Sequence, residues 1–228
     1  MSAHIVLLSD FGTEDGYAAV MRGVILSRDA SLSVHDGAHD IKPFSVSSAG
    51  YVLHTVLTAF PEGTVIVCVV DPGVGTARSV IVGVIDGRIV VLPDNGIVTI
   101  PAAIARHATF HQMRDGVLAS LRAAQPAFST TFDGRDVMAP LGAIIATEGL
   151  DAAVDRVLEP VLIREHEPAV LPDEPGPTSG VVLHIDHFGN AITSIKMGNK
   201  PVRGTVLARD ARLPVHGTFG DAREGEPL

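Results

Sequence analysis

Three loops combine carboxylate or amide side chains with glycine, and each directly follows an apolar run of the kind that forms a buried strand. They cover residues 9–15, 71–78 and 93–96. Ligands of open α/β sheets bind in the crevice beyond the carboxyl ends of the strands, which is where such loops lie. The pattern therefore predicts a ligand site built from these three loops.

The acidic residues of the first loop suit hydroxyl or ammonium donors. An ionised carboxylate accepts charge-assisted hydrogen bonds, so Asp10 and Asp15 are candidates for binding ribose hydroxyls or an ammonium group. Asp15 has an alternative role as the cap of a helix that begins near Gly16. Phosphate motifs are excluded, because Gly73 and Gly75 have no third glycine in dinucleotide-binding register and the chain has no Walker A lysine.

Asp71 and Arg78 stand at the two ends of the glycine-rich second loop. Opposite charges across such a turn have two interpretations, and the sequence alone leaves both open. In one, the pair is a salt bridge that only holds the turn together. In the other, the pair positions a polar small molecule through directed, charge-assisted hydrogen bonds.

His35 and His39 are four residues apart, which would suit a metal pair on one face of a helix. Gly37 lies between them and a strand-like run precedes them, so a helix is not expected. No third ligand lies at a suitable spacing. We therefore expect residues 35–40 to form a solvated loop, and we expect no metal site.

Strands and helices alternate along most of the chain, which predicts an α/β domain with a largely parallel sheet. Apolar residues recur with helical spacing in the helical segments, whereas short continuous apolar runs mark the strands. Asp86 and Gly87 separate two of these runs and indicate a tight hairpin turn. The predicted strands are residues 5–8, 31–35, 64–70, 79–84 and 88–92, and the predicted helices are 16–26, 45–60 and 136–148.

The composition changes after Glu159, and this change predicts a second domain. A stretch rich in proline and acidic residues follows, which is typical of a linker. Short strands predicted beyond it, at residues 181–185, 191–195 and 202–208, indicate a small all-β domain. The predicted boundaries are an α/β domain over 1–165, a linker over 166–179 and a β domain over 180–228.

Composition excludes several classes of protein. Hydrophobic residues make up 46% of the 228 residues and charged residues 19%, with a mean hydropathy of +0.32, so the chain is not disordered. Its 17 basic and 26 acidic residues give a net charge of −9, which argues against nucleic acid or an anionic membrane as a partner. The single cysteine, Cys68, lies in an apolar run and suits the core. No basic segment precedes the first apolar run, so we expect no signal sequence and a cytoplasmic protein.

Taken together, these motifs resemble one family, the S-adenosylmethionine hydrolases or SAM hydroxide adenosyltransferases, which are relatives of fluorinating and chlorinating enzymes. The similar segments occur in the same order over nearly the whole chain. They are LSDFGTED at 8–15, PEGT at 61–64, DPGVGTAR at 71–78, PDNG at 93–96, TFDGRD at 131–136 and IDHFGN at 185–190.

The resemblance implies an α/β domain and a barrel-like β domain in a homotrimer whose active sites lie between subunits. It also implies hydrolysis of S-adenosylmethionine at the ribose C5′, which gives adenosine and methionine and uses no cofactor. By position, Asp71 and Arg78 resemble a pair that holds the attacking water. The implied substrate-binding residues are Asp10 for the ribose diol, Phe44 for the ribose face, Asp15 and Asp186 for the methionine ammonium, Asn190 for adenine, and Asn95 in the third loop.

Two features depart from the family pattern. The third member of the water-holding set is usually histidine, whereas this chain has Asp133. Asp133 either acts as a base or makes the site inactive. The family also continues beyond residues 218–222 with strands that close the ligand pocket, so we expect either a fragment or an incomplete pocket. The alternative function is therefore a non-catalytic binding protein for adenosine or S-adenosylmethionine. A halogenase is disfavoured, because the halogenating relatives carry tyrosine at the position of Asp71, where a carboxylate would repel halide.

Overall fold

A seven-stranded sheet forms the centre of the computed structural model, which describes residues 3–124, 128–170, 178–196, 204–218 and 221. Its strands are β1 (His4–Ser9), β2 (Ser33–Ala38), β3 (Val65–Val69), β4 (Val80–Ile85), β5 (Arg88–Pro93), β6 (Ala108–Met113) and β7 (Val154–Val157). The α-helices are α1 (Tyr17–Arg28), α2 (Val46–Ala59), α3 (Thr99–Ile104), α4 (Asp115–Ala124) and α5 (Ala139–Glu148). Among the described residues, no helix is long and apolar enough to cross a membrane.

The sheet has the strand order β2-β1-β3-β5-β4-β6-β7. The pairings among β2, β1, β3 and β5 are parallel and the remaining pairings are antiparallel, so only β4 and β7 run against the other strands of this sheet. The prediction of a largely parallel α/β sheet is confirmed. The chain passes from β1 to one neighbour, β2, and then crosses to the other neighbour, β3. Ligand crevices of open α/β sheets lie at such a reversal, beyond the carboxyl ends of the strands.

Two apolar layers cover the two faces of the sheet. In β1, Ile5 and Leu7 pack in the layer that includes α1 and α5, whereas Val6 and Leu8 pack in the layer that includes α2. The two-residue repeat of a strand produces this alternation, and burial of both faces explains why the strand is apolar throughout. All four side chains are fully buried. This packing fixes the strand ends and therefore the loops that follow them.

A π-helical turn at Gly134–Met138 leads directly into α5 and follows Asp133. At Gly134, a Cβ atom would lie 3.0 Å from Val69 Cγ1 and 3.2 Å from Met21 Sδ, so the turn is packed closely against β3 and α1. Such turns are rare and occur often at functional sites. The helix predicted over residues 136–148 therefore begins at Gly134, and its first turn is π-helical.

Short strands form the C-terminal region, which confirms its all-β character. They are β8 (Ala169–Val170), β9 (Val182–Ile185), β10 (Ala191–Thr193), β11 (Ile195–Lys196), β12 (Thr205–Ala208) and β13 (Ala211–Pro214). β9 pairs with β10 and β12 with β13, both antiparallel, and β11 runs parallel to β8. The Ser48 hydroxyl of α2 donates to the Leu183 carbonyl of β9 at 3.3 Å. Residues 171–177 of the predicted linker lie outside the described residues, and the domain boundaries stay predictions.

The prediction of a solvated loop at residues 35–40 is wrong. β2 extends through most of this segment, because its backbone groups pair with β1. The His39 side chain is only 4% exposed, and its ring nitrogens lie 2.7 Å from Ser9 Oγ and 3.1 Å from Asp36 Oδ1. Tertiary pairing therefore outweighs the local preference of Asp36 and the following glycine for a turn.

Candidate active site

A cavity of about 300 Å³ opens beyond the carboxyl ends of β1 and β3, beside the reversal of strand order. A volume of this size is sufficient for a small molecule. The lining residues are Asp10, Phe11, Tyr17, Pro43, Phe44, Val69, Asp71, Val74, Thr131, Phe132, Asp133 and Gly134. The fold therefore brings four predicted site residues together at one cavity: Asp10, Phe44, Asp71 and Asp133.

Arg78 lies between two carboxylates of this cavity. Its Nε donates to Asp71 Oδ1 at 3.0 Å, and its Nη2 is bonded to both Asp71 Oδ2 and Asp133 Oδ2. The side chain of Asp71 is 5% exposed, that of Arg78 10% and that of Asp133 19%. The Gly73 amide also donates to Asp71 Oδ1, at 3.2 Å. The pair thus holds the turn and also presents Asp71 to the cavity, so the two interpretations left open by the sequence are compatible.

The charges at the cavity favour a cationic ligand. Two carboxylates, Asp71 and Asp133, share one guanidinium, and Asp10 adds a third carboxylate. Water screens charges poorly where side chains are this buried, so the excess of negative charge acts across the cavity. Its influence reaches the core, because burial and then the charge of Asp10 raise the pKa of the Cys68 thiol to about 12. An anionic ligand would meet repulsion here.

Asp10 and Phe44 are joined by a hydrogen bond, which the Phe44 amide donates to Asp10 Oδ2 at 2.8 Å. Phe44 has a φ of 63°, in the left-handed region that a bulky residue rarely adopts. It is also 71% exposed, so burial of the ring does not account for this conformation. Strain of this kind is concentrated at ligand sites, and it supports a binding role for Phe44.

An aromatic wall lies beside the carboxylates, formed by Phe11, Tyr17 and Phe132. The three rings pack edge to face, with centroid separations of 5.7, 5.5 and 5.4 Å. The Arg135 guanidinium lies 5.2 Å from the centroid of Phe132. Sequence reasoning missed this wall as a unit, although Phe11 and Phe132 belong to two of the motifs and Tyr17 begins the helix after the first loop. The available signal was that both motifs pair a phenylalanine with an acidic residue.

Two other predicted site residues, Asp15 and Asn95, do not line this cavity. Asp15 is exposed, and the alternative role as a helix cap is wrong, because Gly16 is the N-cap of α1 and no side chain caps this helix. The Asn95 side chain donates from Nδ2 to the Val70 carbonyl at 3.0 Å. Asn95 therefore ties the loop after β5 to the end of β3, one residue before Asp71.

Asp186 and Asn190, also predicted, form one turn in the C-terminal region. Asp186 Oδ1 accepts the Phe188 and Asn190 amides at 2.9 and 2.8 Å, and Oδ2 accepts Asn190 Nδ2 at 2.7 Å. The Asn190 side chain and these backbone groups hold the pKa of Asp186 below its ordinary value. Phe188 of the same turn is 87% exposed. The turn lies outside the cavity lining of its own chain.

A second cavity, of about 240 Å³, lies against α2, α3 and the β4–β5 hairpin. Two of its charged side chains are already engaged, since Asp86 accepts the Arg106 and His107 amides and Arg88 donates to the Phe60 and Asp86 carbonyls. Within the described part of the chain, no group of three His, Cys, Asp or Glu residues is placed to hold a metal ion. The first cavity is therefore the candidate active site.

The fold and this cavity define a class of protein, namely α/β proteins that bind a small polar molecule at the carboxyl ends of parallel strands. Residues 5–154 match the family model of the SAM hydroxide adenosyltransferase N-terminal domain, and residues 180–228 match that of the C-terminal domain. The chain therefore belongs to the SAM hydroxide adenosyltransferase family. The resemblance of its motifs to this family is confirmed.

Individual relatives agree with this assignment. The chain is 39% identical to the (R)-S-adenosyl-L-methionine hydrolase of Thermus thermophilus, over 98% of this chain and 86% of the relative. It is 27% identical to the fluorinase of Actinopolyspora mzabensis, over 98% and 85% of the two chains. A solved structure of an uncharacterized conserved protein from Thermotoga maritima matches with a TM-score of 0.76 and 30% identity, covering 97% of this chain and 86% of that one. The similarity thus spans both the α/β and the C-terminal regions.

Proposed function

We propose that the chain hydrolyses S-adenosyl-L-methionine at the ribose C5′ to give adenosine and L-methionine, without a cofactor. The observation that carries this proposal is the Asp71–Arg78 pair at a negatively charged cavity that also holds Asp10. The substrate carries a sulfonium and an ammonium group, which complement such a cavity. The (R)-S-adenosyl-L-methionine hydrolase of Thermus thermophilus is 39% identical to this chain over nearly its whole length.

The proposed reaction is a displacement at carbon. A water molecule attacks C5′ while the bond between C5′ and sulfur breaks, and both electrons of that bond go to sulfur. The sulfonium leaves as the neutral thioether of methionine, so the leaving group needs no acid. The water gives up one proton and becomes the 5′-hydroxyl of adenosine. The site therefore has to align one water with the departing sulfur and exclude competing solvent.

Asp71 accepts a hydrogen bond from the attacking water in this proposal. Two bonds from Arg78 and one from Gly73 fix its carboxylate. Asp133 takes the proton of the water, because it is the more exposed of the two carboxylates and shares the same guanidinium nitrogen. Asp133 thereby replaces the histidine that is usual at this position. We expect Asp133→Asn to lower kcat and to leave the KM for S-adenosylmethionine nearly unchanged.

Asp10 binds the ribose diol in this proposal, and Phe44 packs on the ribose. The Phe44 amide occupies Asp10 Oδ2 at 2.8 Å and so fixes the direction of the carboxylate, whose other oxygen is directed to the ligand. Asn95 contributes by holding the end of β3 beside Asp71. Each of these residues acts on binding, so its substitution is expected to raise KM more than it lowers kcat.

We also propose a homotrimer in which a neighbouring subunit supplies Asp186 and Asn190, together with a cytoplasmic location. Two observations support the shared site: the turn of Asp186 lies outside the cavity lining of its own chain, and Phe188 in that turn is 87% exposed. The exposed Asp15 and the neighbour's Asp186 then bind the methionine ammonium, and the neighbour's Asn190 contacts adenine. Mixing inactive Asp71→Asn and Asp186→Ala subunits tests this arrangement, because a shared site regains activity through mixed trimers. Failure of the mixture to regain activity, with trimers absent by sedimentation, contradicts it.

A product assay tests the main proposal. Purified protein is incubated with S-adenosylmethionine, and the products are separated by chromatography. We expect adenosine and methionine in equal amounts, and we expect Asp71→Asn to lower kcat more than it changes KM. Asp155→Asn is the matched control, because this exposed aspartate lies on β7. Adenosine at the uncatalysed rate only would contradict the proposal.

A non-catalytic binding protein for the same nucleosides is the second candidate. It is favoured by one observation, that Arg78 is bonded to Asp133 as well as to Asp71 and so has less capacity to hold a water. Calorimetry followed by recovery of intact S-adenosylmethionine would support it. Chloride-dependent formation of 5′-chloro-5′-deoxyadenosine in the same assay would instead indicate a halogenase.

A further inference from the structure

A chain of hydrogen bonds begins next to Asp10 and runs away from the cavity, through the buried Ser9 and His39 to the half-exposed Asp36. Ser9 Oγ lies 2.7 Å from His39 Nδ1, and His39 Nε2 lies 3.1 Å from Asp36 Oδ1. Ser9 is fully buried and His39 is 6% exposed. Neither residue lines the cavity, and neither has a part in the proposed reaction. Buried polar groups of this kind are costly unless they are fully paired, so the chain calls for an explanation.

The Phe11 amide donates to Ser9 Oγ at 3.4 Å, and Ser9 Oγ is also hydrogen-bonded to His39 Nδ1. Burial raises the pKa of Asp36, but the hydrogen bond from His39 and the charge of Arg22 outweigh burial and hold it below its ordinary value. Asp36 is therefore an ionised acceptor, and His39 Nε2 donates to it.

A bulge in β2 makes this chain possible. Residues three apart in a regular strand point to opposite faces of the sheet, and Asp36 and His39 have this spacing. The pairing with β1 shifts by one residue between Leu7 and Leu8, which leaves Gly37 as the extra residue in β2. A Cβ atom at Gly37 would lie 2.6 Å from Leu8 Cδ2 and 2.8 Å from Val6 Cγ1, so a larger residue at the bulge would have to displace these buried side chains. The bulge brings both side chains to the same hydrogen-bond chain.

A nucleophilic role for Ser9 does not fit the geometry, although serine, histidine and aspartate form the catalytic set of many hydrolases. The Ser9 hydroxyl is fully buried, and it lines neither cavity. One of its two hydrogen bonds is instead with the Phe11 amide, in the backbone that follows it. A role in positioning that backbone fits these contacts.

We propose that Ser9 and His39 are positioning residues that hold Asp10 in its binding orientation. His39 holds the loop at two points, since its ring is hydrogen-bonded to Ser9 Oγ and its carbonyl accepts from the Gly12 amide at 2.8 Å. Asp10 lies between these two anchors, and its carboxylate then receives the Phe44 amide. The proposal rests on the proposed function in one respect, that the ligand of Asp10 is a ribose diol.

Two substitutions at the same position separate the links of the chain. The short amide of His39→Asn places a polar group where Nδ1 lies and keeps the link to Ser9. The longer amide of His39→Gln places its polar group near Nε2 and keeps only the link to Asp36. Ser9→Ala removes the same link as His39→Gln from the other side and leaves the histidine in the core. Ser27→Ala, which removes an exposed hydroxyl of α1, is the matched control.

The first readout needs no ligand. Amide hydrogen exchange at Phe44 and Gly12, followed by NMR in the full chain, reports whether the loop still holds its two contacts. We expect exchange to rise about tenfold or more in His39→Gln and Ser9→Ala, and to stay near wild type in His39→Asn and Ser27→Ala. Equal exchange in Ser9→Ala and Ser27→Ala would overturn the proposal, whether or not the chain hydrolyses S-adenosylmethionine.

The second readout connects the loop to the ligand. Calorimetry with adenosine and with 2′,3′-dideoxyadenosine gives the ratio of their affinities, which is the preference for the diol. We expect adenosine to bind the wild type about 10- to 100-fold more tightly, because a charge-assisted hydrogen bond contributes a free energy of this size. Ser9→Ala and His39→Gln are expected to reduce this preference and His39→Asn to retain it, whereas affinity for the dideoxy compound stays constant in all variants. A preference that is unchanged in Ser9→Ala would overturn the positioning role. A wild type without any preference would contradict the role of Asp10 in the proposed function, and the exchange readout would still decide whether the chain holds the loop.

Discussion

Replacement of Arg78 by methionine is expected to destabilise the chain far more than loss of an ordinary surface ion pair. Arg78 is the cation between Asp71 and Asp133, and the exposed fractions of the three side chains are 10%, 5% and 19%. Removal of one partner from a buried ion pair costs about 3–5 kcal/mol, because the other charge stays buried without compensation. Water reaches Asp133, so we take the lower end, about 3 kcal/mol. In a chain of this length, this corresponds to a fall in Tm of about 6–12 °C.

The assay is thermal unfolding of Arg78→Met beside Arg28→Met. Arg28 pairs with Glu148 at the surface, where the two side chains are 38% and 50% exposed. Such a pair is worth about 0–1 kcal/mol, so its loss is expected to lower Tm by no more than about 4 °C. Methionine has a similar length to the arginine stem, and it therefore keeps most of the packing in both variants.

A third variant separates charge from packing. Addition of Asp71→Asn and Asp133→Asn to Arg78→Met removes the uncompensated carboxylates, and it is expected to restore at least roughly half of the lost stability. Equal Tm values for Arg78→Met and Arg28→Met would show that the site carries no buried charge cluster. A large loss in Arg78→Met that the neutral triple variant does not restore would show that packing, and not charge, holds Arg78 in place.

Three further predictions concern single residues. Cys68 is expected to resist iodoacetamide at pH 8 in the folded protein and to react after denaturation, because burial raises the pKa of its thiol to about 12; rapid labelling of native protein would contradict this. Phe44→Gly is expected to unfold about 2–4 °C above Phe44→Ala, since glycine adopts a φ of 63° without strain. Both variants are expected to lose affinity for adenosine. Equal Tm values would show that the backbone at Phe44 is not strained. Hydrogen bonds from the turn hold the pKa of Asp186 below its unfolded value, so its stabilisation is complete above the unfolded pKa and is lost as pH falls through the folded value. The difference in unfolding free energy between wild type and Asp186→Asn, measured by urea titration, is therefore expected to shrink below about pH 4, and a constant difference would refute the assignment.

The sheet could be predicted from the sequence because its central strands are buried on both faces. The segments that form β1 and β3 are apolar almost throughout, and few structures other than a strand buried on both faces accommodate such a segment. The sequence does not predict β6 and β7, because both mix polar and apolar residues and depend on pairing for their structure, β6 with β4 and β7 with β6. The bulge in β2 was missed for a related reason, since pairing with β1 decides it.

The candidate site was predictable to the extent that it follows strand ends. Asp10 and Asp71 directly follow buried strands, so the parallel sheet places them at one edge. Asp133 reaches the same cavity only through the π-helical turn, which no local pattern indicates. The sequence predicts a solvated loop at His39, because two histidines and a glycine are typical of a loop. The buried position of His39 depends instead on a contact with Ser9, thirty positions earlier in the chain. Contacts between segments that are distant in the chain could not be predicted from the sequence.

Incubation in oxygen-18 water shows whether water displaces methionine from C5′ at this cavity. The protein is incubated with S-adenosylmethionine in this solvent, and the products are analysed by mass spectrometry. We expect adenosine that carries the heavy oxygen in its 5′-hydroxyl, unlabelled methionine, and much slower formation of both products in Asp71→Asn. Adenosine without the label, or release of adenine in place of adenosine, would contradict this expectation.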